Sequence, residues 1–127
     1  MNYKAQQLLK HLCSQYDQLS KKYQSEPFPV FAETFKSEYG HCLVRSMAGS
    51  QRFSIVSINF CPSARSQGVL TKFIEYIESH PYHYRGVEVA IIENAGLAAR
   101  LKRLGWEYKS LFSRIFFSKK PTLVHDF

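Results

Sequence analysis

Long apolar runs are missing from this sequence of 127 residues. A helix that spans a membrane needs about 20 consecutive, mostly apolar residues, and no stretch of the chain supplies them. The first ten residues are polar and lack the apolar centre of a secretory signal peptide. We therefore expect a protein with no membrane span and no membrane partner, located in the cytoplasm.

Cysteine is also scarce. Cys13, Cys42 and Cys61 are odd in number and widely spaced, so they do not favour a disulfide framework. No C-x-x-C pair occurs, and the five histidines lack the spacing that is typical of metal ligands. The sequence therefore predicts neither a disulfide-stabilised fold nor a metal site.

Charge is unevenly distributed along the chain, and no acidic residue occurs from Tyr39 to Ile74. The formal net charge is +7, and residues 94–127 hold seven Lys or Arg against two Asp or Glu. A basic segment of this kind attracts an anion such as a nucleotide cofactor, a nucleic acid or an acidic partner. A solvated basic surface explains the same composition more simply.

Hydrophobic periodicity predicts a single domain of mixed α/β layers. Apolar residues at steps of three and four predict a long amphipathic helix over residues 1–25, whereas residues 26–38 favour neither a helix nor a strand. Strands are expected at His41–Met47, Arg52–Phe60 and Val87–Ile92, with a turn at Gly49 and a strand-like segment at Trp106–Phe117. A helix is expected from Leu70 to His80, and another that buries Leu97, Ala98, Leu101 and Leu104 and ends at Gly105.

The most informative segment is a strand, a loop and a helix that follow one another between Ile55 and Thr71. The apolar strand stops at Pro62, a polar loop carries Arg65 and Gly68, and helical spacing then begins. The first N–H groups of a helix have no partner inside the helix and point along a favourable dipole, so a phosphate binds well there. Gly and Arg also occur at such junctions for turn geometry alone.

This loop resembles that of a known family. The pattern Phe60-x-Pro62-x-x-Arg65-x-x-Gly68 is similar to the acetyl-coenzyme A loop of the GCN5-related N-acetyltransferases, or GNAT superfamily. Asn94, followed eleven residues later by the glycine of Leu104–Trp106, is similar to that family's later Asn…Leu-Gly-Phe segment. The resemblance covers about residues 50–118.

The resemblance implies a mixed, mainly antiparallel, splayed sheet flanked by helices, with residues 119–127 as a tail. It also implies acetyl-coenzyme A as the cofactor, with the pantetheine arm paired to the backbone of Ile58 and Phe60. The amides of the residues after Arg65 are expected to hold the pyrophosphate with Arg65 beside it, and Asn94 is expected to lie near the pantetheine or to cap the next helix. Those amides belong to Ser66, Gln67, Gly68, Val69, Leu70 and Thr71. Arg100 and Lys102 approach the phosphates in one interpretation and are solvated helix charges in the other.

Three positions depart from the family pattern. Leu70 replaces a small residue at the end of the loop, and Leu101 stands where the family often has a proton-donating tyrosine. Ser54 stands near the usual place of a carboxylate base. A positioned base or acid contributes about 10²- to 10⁴-fold to a rate, so substitutes matter. Glu93 is a candidate base, or only a helix cap, and Tyr108 is a candidate acid, or only a core residue.

Three functions remain open from the sequence. The first is transfer of an acetyl group from acetyl-coenzyme A to an amine of unknown identity. The second is a non-catalytic GNAT-like protein that acts through a partner, and the third is a basic nucleic-acid-binding module whose affinity depends strongly on salt. The chain is expected to be a monomer or a homodimer formed through its N-terminal helix.

Overall fold

The computed structural model describes residues 1–26, 30–47, 51–90, 95–109 and 122–127. In these ranges the helices are α1 (Tyr3–Lys22), α2 (Val69–Ser79) and α3 (Ala95–Arg103). The strands are β1 (Phe31–Ser37), β2 (Gly40–Ser46), β3 (Arg52–Phe60), β4 (Gly86–Val89), β5 (Glu107–Tyr108) and β6 (Leu123–Asp126). A 3-10 turn, Pro62–Ala64, lies between β3 and α2. The predicted mixed α/β fold with a long first helix is confirmed.

The described strands form one sheet in the order β1-β2-β3-β4-β6-β5. β3 and β4 run parallel and every other described pair is antiparallel, which confirms a mainly antiparallel sheet. The described parallel pairing extends to Ile55 and Val89, and the N–H of Ala90 donates to the carbonyl of Ile55 at 2.9 Å. β3 continues to Phe60, so its last five residues lie beyond its described pairing with β4.

The two faces of the sheet have different surroundings. Phe53 is fully buried against the helices, with its ring 4.9 Å from the ring of Tyr16 in α1 and 6.4 Å from that of Phe73 in α2. Side chains alternate along a strand, so the neighbouring Ser54 lies on the opposite face. Cross-strand register places Glu88 beside Ser54 on that face. α1 and α2 therefore pack on one face, and a buried polar pair lies on the other.

α1 buries the face that its periodicity predicts. Its buried apolar residues are Ala5, Leu8, Leu12, Tyr16 and Leu19. Burial of each large apolar side chain stabilises the fold by about 1.5–3 kcal/mol relative to exposure. The helix begins after Asn2, whose side-chain oxygen accepts a hydrogen bond from the N–H of Ala5 at 2.9 Å. None of the described helices is long and apolar enough to cross a membrane.

The structure corrects several expectations. β1 occupies residues that showed no pattern in the sequence, and it is an edge strand that buries only Phe31 and Phe35. Within the expected tail at residues 119–127, the described residues Leu123–Asp126 form β6, which lies between β4 and β5 in the described sheet. Leu104 is 64% exposed rather than buried, because α3 ends at Arg103. The predicted turn at Gly49 and the segments 91–94 and 110–121 lie outside the described residues.

Candidate functional site

The loop between β3 and α2 presents an uncapped helix start. Gly68 precedes α2 with φ +78° and ψ 17°, a left-handed conformation that glycine adopts without strain. The first N–H groups of α2 have no acceptor within the helix. A Cβ atom added to Gly68 would meet no atom within 4 Å. The space in front of the helix terminus is therefore open to a ligand.

A cavity of about 700 Å³ opens at this loop. Eight of the ten residues that the sequence assigned to the cofactor line it: Ile58, Phe60, Arg65, Ser66, Gly68, Val69, Leu70 and Thr71. Gln67 is not among the lining residues, and its side-chain oxygen instead accepts a hydrogen bond from the N–H of Asn2 at 3.1 Å. Asn94 lies outside the described residues. The structure therefore brings most of the predicted set together in one place.

Three guanidinium groups border the cavity, from Arg65, Arg100 and Arg103. Arg65 Nε donates to the carbonyl of Phe60 at 2.9 Å and so ties the loop to the end of β3. Arg100 Nη1 donates to Thr71 Oγ1 at 3.1 Å, which joins α3 to the first turn of α2. Guanidinium groups beside a free helix N-terminus suit phosphate oxygens, so this donor set fits the pyrophosphate of a coenzyme A.

The sequence left open how Lys102 and Leu70 lie relative to the cofactor. The ammonium of Lys102 lies over the ring of Tyr108, 4.7 Å from its centroid, and Lys102 is not among the residues that line the cavity. Arg103, which was not predicted from the sequence as a site residue, does line the cavity. Leu70 lines the cavity while packing partly against the core, so its larger side chain is only partly turned away from the ligand space.

A buried carboxylate lies beside the Ser54 position. Ser54 is 3% exposed, and its hydroxyl donates to Glu88 Oε2 at 3.1 Å. Glu88 is 1% exposed, and Lys109 Nζ lies 3.2 Å from its other oxygen, Oε1. Glu88 was not predicted from the sequence as a site residue. The available signal was a single acidic residue inside the apolar run Val87–Ile92, because a carboxylate is almost never buried unless it is paired.

The backbone is irregular next to this carboxylate. Leu43 on β2 pairs with Ser57, whereas Val44 pairs with Ile55, so Val56 is an extra residue that has no register partner on β2. Such β-bulges bend a strand and often lie near active sites. This bulge coincides with the end of the described β3–β4 pairing after Ile55. Within the described residues, the bulge therefore lies two residues from Ser54 along β3.

The other positions considered for catalysis are Tyr108, Leu101 and Glu93. Tyr108 is half-buried on β5 under the Lys102 ammonium and is not among the cavity-lining residues. Leu101 is buried in the core, and its hydrocarbon side chain has no proton to donate. Glu93 lies outside the described residues. Within the described ranges no group of three or more His, Cys, Asp or Glu side chains could hold a metal ion.

No family model matches the sequence, and no curated protein sequence matches it either. Among solved structures, an acetyltransferase from Bacillus cereus aligns with a TM-score of 0.50 at 12% identity, over 90% of this chain and 87% of its own. A probable acetyltransferase of the GNAT family from Chromobacterium violaceum gives 0.47 at 18% identity over 69% of this chain. A nourseothricin acetyltransferase gives 0.40 at 15% identity over 68% of this chain.

This chain spans about half the length of the last two proteins, 52% and 54% respectively. At these identities the likeness concerns the fold alone. The first alignment and the mainly antiparallel sheet, with its single described parallel pair, agree with the expectation from the sequence. The chain has the fold of the GCN5-related N-acetyltransferases.

Proposed function

We propose that this protein binds acetyl-coenzyme A in the cavity at the β3–α2 loop and transfers its acetyl group to an amine. The observation that carries the proposal is the combination at one cavity of an open helix N-terminus after Gly68 and the side chains of Arg65, Arg100 and Arg103. This combination suits phosphate binding, because helix N–H groups supply directed donors and guanidinium groups supply charge.

The apolar half of the cavity suits the pantetheine arm. Ile58 is 42% exposed although it lies on a strand of the sheet, and it lines the cavity together with Phe60. These residues belong to the part of β3 beyond its described pairing with β4. Among the described residues no strand pairs with this part of β3 on the side away from β2, and a free strand edge pairs readily with an extended, amide-containing chain. An arm bound along β3 from Phe60 towards Val56 ends at the bulge.

The thioester supplies an activated carbonyl, and the protein must supply a neutral amine. A primary amine such as that of lysine is almost wholly protonated at neutral pH, because its usual pKa is about 10.4. Glu88 is the described carboxylate nearest the end of the β3–β4 pairing, about 7 Å along β4 from Ala90. We assign it the role of general base, oriented by the hydroxyl of Ser54. Glu93 remains a second candidate base and Tyr108 a candidate acid.

One observation favours a non-catalytic relative as the second candidate function. Glu88 already has Ser54 and Lys109 as partners, and Leu101 supplies no acid. A protein that binds the cofactor without turning it over fits these contacts equally well. The nucleic-acid-binding hypothesis stays a prediction, since much of the basic C-terminal segment lies outside the described residues.

Calorimetric titration with acetyl-coenzyme A tests the proposal. Arg100→Gln and Arg103→Gln are each expected to weaken binding about tenfold, because a hydrogen bond to a charged group contributes about 1.5–3 kcal/mol and solvent screens part of it. Gly68→Trp is expected to abolish binding, since its side chain fills the open space and strains a positive φ. Lys21→Gln, in the last turn of α1, is the matched control for loss of one charge.

Two further measurements separate the candidate functions. Release of the coenzyme A thiol in the presence of a panel of primary amines distinguishes an enzyme from a binding protein. Pantetheine alone should bind far more weakly than the full cofactor if the phosphates provide the main contacts. If the folded protein does not bind acetyl-coenzyme A even at a high concentration of the cofactor, both acetyl transfer and non-catalytic cofactor binding are ruled out.

A further inference from the structure

The outer edge of β1 carries a side chain that behaves like a neighbouring strand. β1 is the last strand on its side of the described sheet, and β2 is its strand partner on the other side. The N–H of Lys36 donates to Gln15 Oε1 of α1 at 3.0 Å, and Gln15 Nε2 donates to the carbonyl of Lys36 at 2.9 Å. Two opposed residues of an antiparallel pair exchange this same set of two hydrogen bonds. Gln15 therefore takes the place of one residue of an added strand.

The position of this contact shows which other backbone groups face outwards. Backbone groups of alternate residues point to opposite sides of an antiparallel strand. Because both groups of Lys36 meet α1, they point away from β2, and those of Ala32 and Thr34 point the same way. Ala32 and Thr34 are exposed, and among the hydrogen bonds described none involves their backbone groups on this side. Such an edge is a template for a strand from another molecule.

A second copy of this chain fits the edge in a symmetric antiparallel register. Thr34 is the middle residue of β1, and pairing it with Thr34 of the second copy gives the longest overlap. Ala32 of each copy then lies opposite Lys36 of the other. No like charges face each other in this register, and a Thr–Thr pair is favourable across two strands.

Gln15 removes most of the bonds that this register offers. Three outward-facing pairs that exchange two hydrogen bonds each would make about six, and two of these pairs involve Lys36. With Gln15 bound to Lys36 in both copies, about two bonds remain, both between the Thr34 residues. So few bonds do not offset the translational and rotational freedom that two molecules lose when they associate.

We propose that Gln15 blocks a self-association site on β1, and that a second copy of this chain is the partner which this edge accepts when the glutamine is absent. The inference is independent of the proposed function. It assigns to α1 a role besides covering the core, because the helix face that carries Gln15 closes the open edge of the sheet. The third bond of this amide, from Nε2 to the His11 carbonyl at 3.2 Å, holds it on its own helix.

Analytical ultracentrifugation of the whole chain measures the dissociation constant of the dimer. Gln15→Ala should lower this constant at least tenfold, and Gln15→Met, which keeps the side-chain length without the amide, should do the same. Gln6→Ala is the matched control on the same helix and should leave the constant unchanged. Gln15→Ala/Thr34→Pro should restore the native value, because proline removes an outward N–H and is tolerated in an edge strand. Circular dichroism establishes that each variant is folded.

Oxidative cross-linking in the Gln15→Ala background tests the register. Adding Thr34→Cys should give a disulfide-linked dimer, since the Cα atoms of such a pair lie about 5.5 Å apart. Adding Lys36→Cys should not, because the two copies of residue 36 lie about 14 Å apart along the strands. If both Gln15 variants fold and associate no more than the native chain, the inference is wrong. It is also wrong if Thr34→Pro leaves the association intact, or if the two cysteine variants cross-link equally well.

Discussion

Asn2 and Ser63 are joined by a hydrogen bond in which the Asn2 side-chain amide donates to the Ser63 carbonyl at 2.6 Å. The same side chain caps α1 through its oxygen, and the N–H of Asn2 donates to Gln67 at 3.1 Å. One residue therefore both starts the first helix and holds the loop that borders the cavity. The start of α1 fixes the position of a loop more than sixty residues away.

Substitution of Asn2 should affect stability and ligand binding separately. Asn2→Ala is expected to lower the free energy of unfolding by about 1 kcal/mol, the usual cost of losing a helix cap. Asn2→Ser keeps a capping oxygen but loses the donor to Ser63, so it should keep most of the stability. Both variants should weaken acetyl-coenzyme A binding about two- to tenfold, the range for one neutral hydrogen bond.

Urea denaturation and calorimetric titration measure these two effects. Gln6→Ala is the matched control, because Gln6 lies in the same helical turn and, among the contacts described, its side chain bonds only the nearby Met1 carbonyl. Unchanged binding in Asn2→Ser would show that the loop holds its shape without this contact.

The Glu88–Lys109 pair should be asymmetric in its effect on stability. Lys109→Met leaves a buried carboxylate without its cation and is expected to lower the free energy of unfolding by about 1–3 kcal/mol, less than for a fully buried pair. The double variant Glu88→Gln/Lys109→Met should recover part of this loss. Lys72→Met breaks the exposed pair with Glu75 and should cost less than about 0.5 kcal/mol. Equal losses in the two lysine variants would contradict the burial of Glu88.

Asp126 should give the protein a pH-dependent clamp on β6. A hydrogen bond from Arg52 Nε at 2.7 Å lowers the pKa of Asp126 below its ordinary value of 3.8, and a hydrogen bond from Arg85 lowers this pKa further by a smaller amount. The contribution is present above about pH 4 and is lost as the pH falls through the lowered pKa. Because the carboxylate is 40% exposed, we expect no more than about 1 kcal/mol.

A comparison of the native chain with Asp126→Asn tests this clamp. The denaturation midpoint of the variant should be lower at pH 7, and the two midpoints should converge as the pH falls below the ordinary carboxyl pKa. Arg85→Gln should have a smaller effect than Arg52→Gln, because the Arg52 contact is bidentate. A difference that stays constant with pH would mean that the carboxylate charge is not involved.

The two tyrosines that donate to Asp17 should ionise late. Tyr82 donates to Asp17 Oδ1 at 2.6 Å, and this bond to a carboxylate raises the pKa of Tyr82 to about 12. Tyr76 donates to Oδ2 at 2.5 Å, and its pKa is raised for the same reason. A raised tyrosine pKa stabilises the fold fully below the ordinary value of 10, and the contribution is lost as the pH rises towards 12.

Tyrosinate absorbance during an alkaline titration measures this effect. In Asp17→Asn the Tyr82 and Tyr76 transitions should move towards pH 10. Tyr84 is an internal control, because burial is the main reason that its pKa is raised to about 12. If the Tyr82 transition stays in place in the variant, burial rather than the carboxylate controls it.

The elements that the sequence predicted well are those with local signals. The second strand of the predicted hairpin ends before Pro62, and the helix after Gly68 buries Phe73, Ile74 and Ile77 at helical spacing. β1 escaped prediction because exposed residues separate Phe31 from Phe35, so its burial pattern does not alternate. Such a pattern arises at the edge of a sheet, where only part of one face meets the core.

The candidate site was predictable only where its residues are consecutive. The loop from Arg65 to Thr71 carried its own pattern, and seven of the ten assigned residues lie within it. Arg103 and Lys109 reach the site from distant elements, so their roles depend on tertiary packing that no local pattern encodes. Glu88 is intermediate, because an isolated acid in an apolar strand is visible in the sequence but its partners are not.

The position of β6 has a consequence for synthesis. β6 lies between β4 and β5 although it follows both of them in the chain, and β5 has no other described strand partner. During synthesis, one edge of β4 therefore stays open until Leu123–Asp126 has left the ribosome. Open edges recruit strands from other molecules, and contacts distant in sequence form slowly. The chain is therefore most prone to aggregation in the interval before β6 pairs with β4.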